Sequence, residues 1–272
     1  MSTPKLAAAL VLCSPFLAAD SRNQEFSDFT TPLPVAPGET LVIGVVGGWE
    51  RWDNPVRSIR RTAINVKRER LPGVHVETVE NHKLELGEQL VRRSFDFDRD
   101  GKLSHQEAAR ARVVVFGQSL GGRAAIWLCR TLQGWGVPVR LLIVVDAFGK
   151  DSYVIPANVR EAANYYQREH LFIKGAPEIR AADPARTRIL ENVEISFQGR
   201  GDVQAVEHGL LKRFALDEHA RMEYVPELWR KIEGMIVEAV RPEPDTASGV
   251  PGPAYFRVEC AVAAVGAPPG IW

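Results

Sequence analysis

The chain has 272 residues, 34 basic and 34 acidic side chains, a formal charge of zero and 45% hydrophobic residues. That length suits one sizeable α/β domain or two small ones. Electroneutrality, with no basic stripe interleaved with aromatics, argues against a nucleic-acid surface. The lack of any apolar run of about 18 residues excludes a multi-pass membrane protein.

The first residues read as a targeting segment. Met1-Ser2-Thr3-Pro4-Lys5 carries one positive charge, Leu6 to Leu12 is apolar, and Ser14 to Ala19 ends in small residues before Asp20. This predicts a short secretory signal over residues 1–19, with Leu17 bulkier than the cleavage pattern prefers. The expected location is secreted or periplasmic, with no transmembrane span after cleavage. Cys13 follows Leu10-Val11-Leu12, a lipoprotein-like arrangement, but Leu12 is too large for the residue before a lipidated cysteine. Cys129 and Cys260 would remain; one disulfide and two free thiols both stay open.

Thr40 to Val46 is a β-branched run that predicts a buried strand. It leads into Gly47-Gly48-Trp49-Glu50-Arg51-Trp52-Asp53-Asn54-Pro55. Glycines after an early strand let backbone approach a bound molecule, so Gly48 and Trp49 are candidate site residues; packing of Trp49 and Trp52 is the plain alternative. Asn54 as cap and Pro55 at the first position predict a helix to Arg70, stopped by Leu71-Pro72-Gly73. Val74 to Val79 alternates as the next strand. Lys83 to Phe95 is amphipathic, with Leu84, Leu86, Leu90 and Val91 on one face.

Asp96-Phe97-Asp98-Arg99-Asp100-Gly101-Lys102-Leu103-Ser104-His105-Gln106-Glu107 matches the EF-hand calcium loop position by position. Asp96, Asp98 and Asp100 supply carboxylates, Gly101 the sharp turn, Lys102 a backbone carbonyl, Ser104 a hydroxyl acting through water, and Glu107 a chelating carboxylate. Carboxylates this close repel one another without a cation, so Ca2+ is expected. Ala108 stands where a large apolar residue is usual, and no second such loop exists to pair with it. The expectation is therefore a structural clamp rather than a sensor, with affinity of roughly 10⁻⁴ to 10⁻³ M as in extracellular modules.

Val113-Val114-Val115-Phe116 then reads as a buried strand, followed by Gly117-Gln118-Ser119-Leu120-Gly121 and a helix from Gly122. Strand, Gly-x-Ser-x-Gly and helix form a nucleophile elbow. The turn forces Ser119 into a strained conformation while Gly117 and Gly121 allow strand and helix to touch. The Leu120 N–H is then aimed where an oxyanion forms, and Gly48 or Trp49 can supply the second donor. An ordinary turn whose serine caps the helix is the competing reading.

Val139 to Val145 is another buried strand, and Asp146 ends it on the same sheet edge as Ser119. It is the expected acid of a triad, with Asp183 and Asp202 as alternatives. Val154 to Gln167 has too few long apolar runs for core sheet and is expected to form a cap over the substrate side. Ile189 to Phe197 is the last strand candidate, so five strands are visible. The base must follow the acid in the chain. His219, just before an amphipathic helix at Pro226 to Val240, is favoured; His208 is the alternative. His75 and His82 precede Ser119 and are read as structural. From Arg241 the composition shifts to a Pro/Gly-rich linker, and residues 241–272 form linker and tail beyond a domain at 20–240.

The elbow, the Asp146 strand end, Ile155-Pro156-x-Asn158-Val159…Tyr165-Tyr166-Gln167, and His219…Pro226…Trp229…Ile232 together resemble lipase/esterase-like α/β-hydrolases. The similarity extends to bacterial members with an EF-hand-like loop before the nucleophile strand. It covers about Thr40 to Val240, and Gln118 departs from the histidine common before the serine. The resemblance implies a three-layer α/β sandwich, a mostly parallel sheet with helices on both faces, and acyl transfer to water from a small-molecule or lipid ester. A calcium-dependent binder without catalysis on the same scaffold, and an acyltransferase using the same triad, are the other functions in play.

Overall fold

The computed structural model describes residues 23–149, 153–169, 174–203 and 218–241. The expected signal segment at 1–19, Cys13, His208, Cys260 and the tail from 242 onward lie outside the described residues.

Strands β1 (Thr40–Val46), β2 (Val74–Glu80), β3 (Val113–Gln118), β4 (Val139–Val145), β6 (Val159–Tyr166) and β8 (Arg188–Glu194) form one sheet in the order β2-β1-β3-β4-β6-β8. Every neighbouring pair is parallel. β5 (Val154–Ile155) and β7 (Arg180–Ala181) make a separate two-stranded sheet. A parallel sheet needs crossover helices, which cover both faces and make its central strands apolar throughout. All seven residues of β1 and all six of β3 are buried.

Alternation along the strands divides the core in two. Leu41, Ile43, Val45, Val113 and Val115 pack with helices α2 (Leu84–Ser94), α3 (His105–Arg110) and α4 (Leu120–Trp135). Val42, Val46, Val114 and Phe116 pack with α1 (Ser58–Arg68) and α5 (Pro226–Val240). The result is a three-layer α/β/α sandwich. Cys129 is a free, wholly buried thiol on α4, and burial pushes its pKa well up.

Three expectations need correction. The first helix begins at Ser58, not at Pro55. Asn54 Oδ1 accepts the Val56 N–H at 3.1 Å and Asn54 O accepts the Arg57 N–H at 3.2 Å, so the Asn-Pro step is used in a turn.

The expected cap segment instead contains β6, an inner strand of the main sheet. Its buried residues are Val159, Ala162, Ala163, Asn164 and Tyr165; between the valine and the tyrosine the burial falls on two alanines and an asparagine, which hides the strand pattern. Asn164 Nδ2 is satisfied by Ala176 O at 2.8 Å and Asn192 Oδ1 at 3.1 Å, and the Tyr165 hydroxyl donates to Glu191. The main sheet thus has six strands. The last of them ends at Glu194 rather than Phe197, because Glu169 takes up the Phe197 N–H at 3.0 Å.

Candidate active site

Ser119 sits between β3 and α4 at φ 59°, ψ −127°, a conformation disfavoured for a residue with a Cβ. The bend survives because its glycines remove the steric obstacles. A Cβ on Gly117 would lie 2.7 Å from the Gly121 carbonyl carbon, and one on Gly121 would lie 2.7 Å from that of Val46. The Ser119 N–H is spent on Val145 O at 2.8 Å. Leu120 opens α4, where the first N–H groups have no intrahelical acceptor.

His219 lies in a helical turn at 218–221. Its Nε2 is 2.8 Å from Ser119 Oγ and its Nδ1 is 2.6 Å from Asp146 Oδ2. With the carboxylate as acceptor, Nδ1 carries the proton and Nε2 accepts from the serine hydroxyl. The Phe148 ring meets the imidazole edge-on, centroids 5.7 Å apart.

Asp146 is wholly buried at the end of β4, at φ 48°. A buried carboxylate needs several donors. Besides His219, the Gln167 backbone N–H reaches Oδ1 and its side-chain amide reaches Oδ2, both at 3.1 Å. Gln167 belongs to the Tyr165-Tyr166-Gln167 stretch, yet sequence reasoning assigned it no role; a buried glutamine after an inner strand is its only signal. The two alternative acids are engaged elsewhere. Asp183 accepts the Ala185 N–H at 3.0 Å, and Asp202 pairs with Arg200 at 3.0 Å.

The loop after β1 lies against the elbow. A Cβ on Gly47 would fall 3.2 Å from Ser119 Cβ. The Glu50 N–H closes a turn onto Gly47 O at 3.0 Å, with Gly48 at φ 49°. Trp52 is buried, whereas Trp49 is 90% exposed, its ring 5.6 Å from that of His82. His82 also pairs with Glu80 at 3.2 Å, and His75 with Glu39 at 2.8 Å.

A cleft of about 580 Å³ opens over Ser119 and His219. Trp49, Leu120 and Phe148 give it an apolar side; Glu50, Arg57 and Glu223 give it a polar one. Arg57 reaches both Glu223 oxygens at 3.3 Å and a Glu50 oxygen at 3.8 Å. Burial pushes the Glu50 carboxyl up to about 8, with the Glu223 charge adding to the effect. This acid–arginine–acid group gives no motif in the sequence, since Glu223 lies 166 residues from Arg57.

Shortly before β3 in the chain, the acidic loop between α2 and α3 is closely folded. Oxygens of Asp96, Asp98 and Glu107 all lie within 4.8 Å of one another. Gly101 takes φ 85°, the turn such a loop requires. Ser104 caps α3 and shares a reciprocal capping box with Glu107. Asp96 accepts the Asp100 and Gly101 N–H groups, and the Asp100 carboxylate is turned onto the Lys102 N–H at 2.8 Å. Leu103 packs against the core and Ala108 is wholly buried, which explains the small residue there. An all-oxygen donor set of this kind suits a hard divalent cation.

No protein-family model matches the chain. No curated protein matches it either. Among solved structures it is similar to the crystal structure of a dienelactone hydrolase from Anabaena variabilis ATCC 29413, with 12% identity and a TM-score of 0.38, covering 76% of this chain and 87% of that one. The functional reading therefore rests on the site's own geometry.

Proposed function

We propose that the protein is a serine hydrolase acting on carboxylic esters. The observation that carries this is the continuous chain Ser119 Oγ–His219 Nε2 at 2.8 Å and His219 Nδ1–Asp146 Oδ2 at 2.6 Å, built on a strained elbow and open to a cleft. Ser119 Oγ attacks the ester carbonyl while His219 Nε2 takes its proton. Asp146 stays ionised and holds the imidazolium. The oxyanion is received by the Leu120 N–H and by the loop at Gly48–Trp49. Collapse expels the alkoxide, which takes the proton from His219. Water, deprotonated by the same imidazole, then releases the acid and restores the serine.

The cleft supports esters of compact, partly polar acids over long acyl chains. An alkyl chain laid against Arg57, Glu223 and the Glu50 carboxyl would strip water from this polar wall and return no hydrogen bond to it. Asp96, Asp98 and Glu107, with Ser104 and the Lys102 carbonyl, would hold Ca2+, whose charge relieves their mutual repulsion and ties α2 to the segment entering β3.

The test is a fluorophosphonate probe with a panel of short esters. Labelling and turnover that vanish in Ser119→Ala support the reading. Folded protein that neither labels nor hydrolyses any ester overturns it in favour of a calcium-binding scaffold. Ester product formed with an added alcohol, at the expense of free acid, would make it an acyltransferase.

A further inference from the structure

The soft point of the site is the peptide between Gly48 and Trp49. It is the central peptide of the turn closed by Glu50 N–H to Gly47 O at 3.0 Å. Gly48 has φ 49°, while Trp49 is not among the positive-φ residues. A positive φ at the first central residue alone is the type II′ pattern. Rotating the central peptide by half a turn would give type I′, swapping the places of its C=O and N–H. That rotation decides whether the Trp49 N–H points into the site or away from it.

Asn81 controls it. The residue follows β2, and its Nδ2 donates to Val46 O at 3.1 Å and to Gly48 O at 2.5 Å. Only the amide NH2 can face two carbonyl oxygens, so the side-chain orientation follows from its partners. In the sheet, β1 lies between β2 and β3. The Gly48 carbonyl, held by Asn81, therefore faces the β2 side. The only cis peptide among the described residues is Leu33–Pro34, so the Gly48–Trp49 peptide is trans and its N–H points opposite to its C=O. That direction is toward the end of β3, where Ser119 stands. Gly47, packed on Ser119, places the turn beside the nucleophile.

We infer that Asn81 is a positioning residue that fixes the oxyanion loop, and that the second oxyanion donor is the Trp49 N–H rather than that of Gly48. The inference rests on the esterase reading above. Asn81 touches no substrate; it acts by holding the Gly48 carbonyl, so that Trp49 meets developing charge without a prior peptide rotation. The rotated turn would also demand φ > 0 at Trp49, which a side-chain-bearing residue resists. Removing Asn81 thus weakens the orientation without abolishing it.

The test is steady-state ester hydrolysis by wild type, Asn81→Ala and Asn81→Leu, with inhibition by a boronic acid that forms a tetrahedral adduct. The expected loss in kcat is about tenfold or more, bounded by the 10²- to 10³-fold cost of deleting an oxyanion donor. KM should stay within about twofold, and boronate affinity should fall with kcat. Trp49→Ala and Trp49→Pro separate indole from N–H: both lose the ring, only proline loses the donor. Pro should be the slower, and Asn81→Ala should add little in the Trp49→Pro background.

Unchanged kcat in folded Asn81→Ala, or a loss confined to KM or Tm, overturns the inference. Equal kcat for Trp49→Ala and Trp49→Pro also overturns it, and that pair decides the matter if the Asn81 variants do not fold. Wild-type protein without turnover or probe labelling sinks the esterase reading itself, and this inference with it.

Discussion

His219 Nδ1 lies 2.6 Å from an Asp146 carboxylate that has no exposed surface. A charge-assisted hydrogen bond in so dry a place fixes both the tautomer and the orientation of the imidazole. Asp146→Asn should keep the fold but present the wrong tautomer to Ser119. A loss in kcat of about 10⁴-fold is expected by analogy with serine proteases, measured on the best ester of the panel.

Gln167 supplies two further donors to that carboxylate, both at 3.1 Å. Gln167→Leu keeps the backbone N–H and deletes the side-chain one. The cost should be about 1–3 kcal/mol for a charged, buried acceptor left one donor short, read by urea unfolding. kcat should fall alongside it, because the imidazole loses its fixed support.

Two glycines on α4 should respond in opposite directions. A Cβ on Gly121 would overlap the β1 backbone at Val45 and Val46, while one on Gly134 meets nothing within 4 Å. Gly121→Ala should destabilise by about 1–3 kcal/mol or more as strand and helix are forced apart. Gly134→Ala should stabilise by roughly 0.5–1 kcal/mol through helix propensity. Thermal melts of the two variants check both signs.

Glu50 makes stability depend on pH. Its carboxyl is pushed from 4.5 up to about 8 by burial and by Glu223. Between those values the folded chain holds a proton that the unfolded chain has released. The contribution is fully present below about pH 4.5 and is lost as pH rises through about 8. Tm should therefore fall across that range in the wild type and fall less in Glu50→Gln. A Tm difference between the two proteins that stays constant with pH would contradict the assignment.

Calcium should raise Tm through the loop at Asp96–Glu107. At ten times the dissociation constant the gain is about 1.4 kcal/mol. Asp98→Asn should remove most of the response, since Asp98 is exposed and one of the three converging carboxylates. An unchanged melt on adding Ca2+ or EDTA would exclude the site.

The parts of the fold visible in the sequence were those whose chemistry is local. β1, β3 and β4 are rich in branched apolar residues, and the elbow carries its own glycines. β6 was missed because its burial is carried by alanines and by an asparagine whose partners, Ala176 and Asn192, lie 12 and 28 residues away. Ser119 is legible from its strand–Gly-x-Ser-x-Gly–helix setting, Asp146 from its strand end and His219 from its place in the chain order before the last helix; the structure brings them within hydrogen-bonding distance. Asn81, Gln167 and the Glu50–Arg57–Glu223 group were not legible, because each takes its meaning from carbonyls or charges on another element.

His219 stands 100 residues from Ser119 and 73 from Asp146. Such separations mean high contact order, with loop closure completed before the contacts that reward it. A ribosome-bound chain that has built only the nucleophile half carries a serine with no base. Recovery of ester turnover during refolding would thus report arrival of the C-terminal segment, and should lag behind the far-UV signal of the sheet.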